Sequence, residues 1–439
     1  MATGGFLLAS SASLVLPDEA RHTAAPIAAP ALQAAVLDGR SADRPEFRAD
    51  WDALSLRAAE PNPFFESWYL LPALRAHDPA GDVRLFCLRH AGDLVGLMPL
   101  APLPRYYGKP IPHWSAWMHG NCFLGVPLVA KGYEASFWQA LLHWVDAHAG
   151  SGLFLHLPHL PLDGPNHAAL SAVCASQRRS TGLVHREQRA MLAGELSPEA
   201  YLEAALTGKK RKELRRQFAR LSELGELTIT HSRDDAGLVQ WIEDFLALEH
   251  SGWKGSAGSA LASHHTTAQL FREALPGAAA QGRLERLTLA LDGEPLAMLA
   301  SFITPPGAFS YKTAFDERFA RFSPGVLLQR ANLAMLDDPT IAWTDSCAAA
   351  DHPMIDHLWR ERRAIGRISL GIGGSLRCDL VHARGRLGAE VGRGLRLGGL
   401  LRLKSHRLTL GQHRSPDRGD GATHLRRASI PQGNPPLEG

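Results

Sequence analysis

Two stretches about 200 residues apart follow one plan: RLFCLRHAGDLVGLMPL, beginning at Arg84, and RLTLALDGEPLAMLASF, beginning at Arg286. Each is a pair of apolar runs around a tight turn, Ala91-Gly92-Asp93 in the first and Asp292-Gly293-Glu294 in the second. Such a pattern predicts a β-hairpin. A hairpin in each half excludes an all-helical protein and disfavours a regular parallel βαβ array. Any two hairpins share this plan, so it does not by itself establish a duplication.

The rest of the chain interleaves helices with strands. A helix is predicted from Asp50 to about Glu60, then a Pro-Asn-Pro turn, then a helix with Phe64, Trp68 and Leu71 on one face. Residues 104–129 read as irregular loops with short strands. SFWQALLHWVDAH is a helix and LFLHLPHL a strand. One long helix is predicted from Ser197, as N-cap, to Gly225. ELTITHS, the two runs of the second hairpin and GAFSYKTAFD make four strands, with helices AGLVQWIEDFLALEHSGWKG and TTAQLFREALPG between the first two. A helix, PGVLLQRANLAML, and a strand, IAWTDSC, complete the unit. The fold class is therefore α/β (α+β), a mixed, mostly antiparallel sheet flanked by helices.

With 439 residues, the chain has room for two or three domains. Residues 1–30 are rich in Ala, Ser and Pro and are expected to be a flexible tail. A second unit begins near 190. After 370 the composition turns to Gly, Arg and Leu, giving a basic tail to 439 with a polar, disordered end. No Lys or Arg precedes the apolar stretch near the start, which argues against a secretory signal. The five cysteines are scattered without a Cys-x-x-Cys pair, which suits a reducing cytoplasm. No apolar run approaches the roughly 20 residues of a membrane span.

Four segments could carry chemistry. In RFSPGVLLQR (321–330), Ser323 is placed to cap a helix and Pro324 to begin it. The N–H groups of Gly325, Val326 and Leu327 would then be free, with Arg318 and Arg321 nearby. Two readings fit: a structural cap with surface arginines, or a seat for a phosphate. In GKKRKELRRQFARL, Leu214, Phe218 and Leu221 form a buried stripe. Lys210, Arg211 and Arg215 stand among seven cations on the remaining surface, either a solvated face or a docking face for an anion. In HSGWKGSAGSAL, Trp253 is a core anchor or a ligand wall, and Lys254 follows it. In WTDSCAAADHPMIDHLWRERR, Asp345 and His352 are acid/base candidates. The spacing there fits no zinc pattern, so no metal is expected. Walker, Rossmann and nucleophile-elbow signatures are missing from the sequence.

GKKRKELRRQFARLSELGEL, HSGWKGSAGSAL, YKTAFDERFARFSPGVLL and DSCAAADHPMIDHLWRERR occur in that order. Together they resemble the CelD/BcsL-type acyltransferases, a branch of the GNAT superfamily near the FemAB-like peptidyl transferases. The likeness covers about residues 190–365. PNPFFESW, GLMPL and HGNCFLGVPL resemble the family's N-terminal half. The resemblance implies tandem GNAT-like domains, 31–189 and 190–370, the second binding acetyl-CoA or another acyl-CoA without a metal. The reaction implied is transfer to an amine, with a sugar or an envelope or polysaccharide precursor as acceptor. Pyrophosphate would sit on the turn formed by Arg318, Arg321, Ser323, Gly325, Val326 and Leu327. The Arg321-to-Gly325 spacing is one residue longer than the superfamily's turn. Asp345 leads as base, with His352 and Asp316 behind it. Many relatives protonate the leaving thiolate with a tyrosine in the last helix; here Tyr311, on the strand before the turn, is the last tyrosine of the chain. Lys210, Arg211, Arg215, Trp253 and Lys254 would face the substrate. The basic tail could touch a membrane surface, while nucleic acid is not expected as a partner. The alternatives are a non-catalytic protein of this fold that binds anionic precursors or membrane, and a FemAB-like aminoacyl transferase.

Overall fold

Both hairpins form, and the sheet grows outward from them. The computed structural model describes residues 31–352 and 354–373. The expected tail 1–30 and nearly all of the basic tail from 371 lie outside these residues. The first half contains β1 (Leu32–Asp38), α1 (Pro45–Ser55), α2 (Ser67–His77), β2 (Arg84–His90) and β3 (Asp93–Leu103). It continues through β4 (His113–Ala116), β5 (Leu128–Val129), α3 (Glu134–Ala147), β6 (Phe154–Pro161), α4 (Pro165–Ser176) and β7 (Thr181–Ala193). The second half has α5 (Pro198–Ala205), α6 (Gly208–Ser222), β8 (Leu227–Ser232), α7 (Leu238–Ser251), α8 (Trp253–Ser256) and α9 (His265–Ala280). β9 (Leu284–Leu291), β10 (Glu294–Thr304), β11 (Gly307–Phe315), α10 (Pro324–Ala331), β12 (Trp343–Asp345) and β13 (Glu361–Gly371) complete it. Among the described residues, no helix is long and apolar enough to cross a membrane.

One mixed sheet runs through both halves in the order β1-β2-β3-β4-β6-β13-β7-β12-β11-β10-β9-β8, with β5 beside β3. The order is the same read from either end. Four strands lead to a parallel step, β4 with β6 or β11 with β12, and then to a long strand from the other half. β13 pairs with β6, β7 pairs with β12, and the two long strands pair with each other over ten residue pairs. The expected boundary near 190 thus falls inside β7, in the middle of the sheet.

Each parallel step is brief. β4 and β6 share two residue pairs, and β11 and β12 share three, Gly307–Phe309 with Trp343–Asp345. Beyond these the pairing stops, and β11 runs on to Phe315 after β12 has ended at Asp345. In the first half the gap is filled from within: Gly125 donates its N–H to the His159 carbonyl, so the loop after β4 lies along β6. Two apolar cores flank the sheet. One joins α1–α4 to α7, α9 and the β11 face bearing Phe309 and Tyr311. The other lies under α5, α6 and α10.

The helix expected over 197–225 is two helices. Ser197 caps α5, its Oγ accepting from the Ala200 N–H, but Leu206 turns extended. Thr207 then caps α6, its hydroxyl accepting from the Lys210 N–H. A hydroxyl that can satisfy an orphan donor competes with an unbroken helix. α1 also stops at Ser55, short of the expected Glu60. β1, α4 and both central strands, β7 and β13, were not legible as elements.

Candidate functional site

Just past the end of its pairing with β12, β11 carries a bulge. Ala300 of β10 faces Lys312 and Ser301 faces Ser310, so Tyr311 is the extra residue. A bulge re-aims side chains, and here Tyr311 and Lys312 both reach the apolar face of β11. Tyr311 is buried and stacks on Phe302, with centroids 4.6 Å apart. Its hydroxyl lies 3.2 Å from that of Tyr69, which donates to the Asn121 carbonyl at 2.6 Å. Burial raises the pKa of both phenols.

Lys312 was not among the sequence candidates. Its Nζ sits over the rings of Phe123 (5.2 Å) and Tyr311 (5.7 Å). Phe123 comes from the loop between β4 and β5, so the first half walls this part of the site. From the same loop, His119 stacks between His77 (4.6 Å) and Tyr69 (5.9 Å). The Nε2 atoms of His77 and His119 are buried without a partner. Burial, reinforced by His77 and Lys312, pushes His119 down to about 3, so the imidazole is neutral. The signal for Lys312 was one lysine in the largely uncharged run of β11; His119 opens HGNCFLGVPL, one of the stretches that carry the family resemblance.

After β11 the chain makes a tight turn (Glu317–Phe322) into α10. Ser323 does not cap α10 with its side chain. It is left-handed, φ 55°, and its carbonyl accepts the N–H groups of Val326 (2.9 Å) and Leu327 (3.1 Å). Those two donors, expected to be free, are therefore engaged. Gly325 is buried, and a Cβ there would lie 2.8 Å from Met354 Sδ, which explains the glycine. Asp316 does not fit the role of base: it caps the turn through the Arg318 N–H and holds the Arg318 guanidinium at 2.6–3.1 Å. Those bonds hold its carboxyl below the usual range. Arg318 is thereby committed, while Arg321 is exposed with its guanidinium over Phe322. The first turn of α10 has no acid. By contrast, Glu134 opens α3, the corresponding helix of the first half, and accepts from Gly132 N–H.

The basic helix α6 packs against the Glu317–Phe322 turn. Lys210 and Arg215 are exposed on α6. Arg211 is spent elsewhere: its Nη1 donates to the Glu203 and Leu206 carbonyls, both at 2.8 Å, closing the end of α5. Trp253 is 57% exposed, which removes the core-anchor reading. Its N–H donates to Glu317 at 2.6 Å. Lys254 is held by Glu249 (2.8 Å) and the Thr313 carbonyl (2.9 Å). Glu249, Trp253, Lys254, Thr313 and Glu317 line a shallow depression beside the end of β11.

Asp345 is wholly buried at the end of β12. One oxygen accepts the Cys347 N–H at 2.8 Å; the other lies 3.5 Å from Arg189 and 3.9 Å from Arg363. Arg189 and Arg363 are register partners on β7 and β13, and Glu60 meets Arg363 from the first half at 3.5 Å. Asp345 thus belongs to an ion network at the centre of the sheet and offers no face to a substrate. His352 is half-buried, and its Nδ1 accepts from Met354 N–H. Burial lowers its pKa, and neighbouring Lys254 adds to this against Asp356. The structure thus brings Trp253 and Lys254 together beside the end of β11, with Tyr311 buried on the same strand and Arg321 exposed on the turn that follows it, but leaves Asp345 and Arg211 in structural roles.

Residues 208–352 match the family described as an acetyltransferase (GNAT) domain. No curated protein matches the sequence. Among solved structures, FemX is similar at 10% identity and a TM-score of 0.49, covering 77% of this chain and 98% of its own. A tandem GNAT protein from the clavulanic acid biosynthesis pathway is similar at 18% identity and 0.41, covering 79% and 99%. The C-terminal domain of a putative lysylphosphatidylglycerol synthetase from Agrobacterium fabrum is similar at 13% identity and 0.43, covering 77% and 95%.

Proposed function

We propose that this protein is an acyl-CoA-dependent N-acyltransferase. Its acyl-CoA enters the split between β11 and β12, with the pyrophosphate over the Arg321–Gly325 turn. The observation that carries the reading is the brief parallel pairing of β11 and β12, followed by a turn into α10, within the segment that matches the GNAT acetyltransferase domain. A strand that runs on past its partner leaves backbone groups unpaired along its edge, where a thioester and its developing oxyanion can be held.

The second half is the half that binds. Its helix start lacks an acid and has Arg321 and the exposed cations of α6 beside it. In the first half, Glu134 occupies the helix start and Gly125 fills the split. The pyrophosphate seat reduces to the Gly325 N–H and the Arg321 side chain. Two GNAT-like units, 31–189 and 190–370, exchange their last strands in this reading. The acceptor is an amine, and amino sugars and envelope precursors are the class to screen first.

Calorimetric titration with acetyl-CoA tests the function directly. The folded protein is expected to bind it, and Arg321→Glu to weaken binding by about tenfold, the scale of one charge-assisted phosphate contact. No heat with any of several acyl-CoAs would sink the function. Unchanged affinity in Arg321→Glu would move the pyrophosphate off the turn.

A further inference from the structure

We propose that Lys312 is the catalytic residue that takes the proton from the attacking amine, in a site completed by Phe123 and His119 of the first half. The inference rests on the acyl-CoA reading above and names the proton acceptor of that same site. It begins from placement. Lys312 lies three residues beyond Phe309, the last β11 residue paired with β12, so it stands just past the end of that pairing. The bulge at Tyr311 turns it to the apolar face.

Among the described residues, no carboxylate pairs with Lys312, and its Nζ is met only by the faces of Phe123 and Tyr311. Neighbouring Lys254 is the opposite case, neutralised by Glu249 and a carbonyl. An ammonium walled by aromatic rings with no counter-ion is costly to keep charged. The charged and titratable groups around Lys312 are Glu249 of α7, Lys254 of α8, Cys347 after β12, and His119. His119 is neutral and adds no charge. Burial, reinforced by Lys254, outweighs the pull of Glu249 and Cys347 and brings Lys312 down to about 8. A base poised near working pH is what amine transfer needs.

The step balances as follows. A neutral amine bonds through its nitrogen to the thioester carbonyl carbon, and the carbon–sulfur bond breaks. The nitrogen's proton passes to neutral Lys312 Nζ and from there to the departing thiolate. An amide and a free thiol result, with Lys312 again neutral. His119 lines the same wall with a buried, unpartnered Nε2. Because its Nδ1 accepts from the Asn121 N–H, the neutral ring carries its proton on Nε2.

The test uses the whole protein and needs no known acceptor. Trace labelling with deuterated acetic anhydride across pH 7–11, read by mass spectrometry, follows each lysine's free-base fraction. Lys312 is expected to reach half-labelling near pH 8, against about 10.4 for a free lysine side chain. Acetyl-CoA at ten times its Kd should cut Lys312 labelling about tenfold, as site occupancy requires, and leave Lys210 within about twofold. A half-point near 10.4, or no protection while calorimetry shows acetyl-CoA bound, overturns the Lys312 role alone. An absence of binding to any acyl-CoA overturns both readings.

Discussion

Asp345 shows how a side chain with the right chemistry can be in the wrong place. At the end of a strand beside a presumed split, it looks like a base. In the fold its carboxylate neutralises Arg189 and Arg363, whose side chains are 3% and 8% exposed. Removing one partner of a buried ion network leaves uncompensated charge, which costs about 3–5 kcal/mol. Asp345→Ala is therefore expected to lower the urea-unfolding free energy by about that amount. An unchanged unfolding midpoint with lost acyl transfer would restore Asp345 as a base. The same scale explains what could be read in advance. Gly325 stood out because its neighbours predict a helix start. Lys312 was not singled out, because the bulge that aims it depends on the pairing with β10. His119 opens the quoted stretch HGNCFLGVPL, but its placement was not legible, because its partners His77 and Tyr69 lie on a helix some 40–50 residues earlier.

At the scale of elements, legibility followed hydrophobic pattern. The hairpins, α3, α7 and α9 were predicted because their apolar residues keep a strict period. β7 and β13 failed because their inward positions carry charge: Arg189 and Glu187 pair along β7, and Arg363 of β13 meets Glu60 and Asp345 from other elements. Charges paired in the folded state read in the chain as a polar loop. The break between α5 and α6 is a further local matter. Thr207 caps α6, and Arg211 closes α5, so the basic face of α6 begins in a fixed position beside the α10 turn. Thr207→Ala is expected to cost about 1 kcal/mol of stability in denaturant unfolding. An effect below 0.3 kcal/mol on the order of measurement error would show that the break is held by something other than this cap.

At the scale of the molecule, the two halves are not separable pieces. β13 lies between β6 and β7, so a chain ending at Leu206 keeps two long strands with facing, unpaired edges. Such edges template association. Residues 1–206 alone are expected to be insoluble, and co-expression with residues 207–439 to recover a soluble complex. A soluble 1–206 that unfolds cooperatively would show that β13 is dispensable to the first half. The hairpin in each half announced sheet in both. The exchange of last strands was invisible, since it requires pairing residues nearly 190 apart in sequence, such as Gly182 with Ser369.

The position of β13 also has a consequence for the order in which the protein is made. β7 leaves the ribosome some 180 residues before β13, a delay of about 10–40 s at roughly 5–20 residues per second. Throughout that interval the first half carries an open slot in its sheet, and nothing translated earlier can fill it. A chaperone that covers this slot until β13 emerges is therefore expected to raise the soluble yield of the full chain.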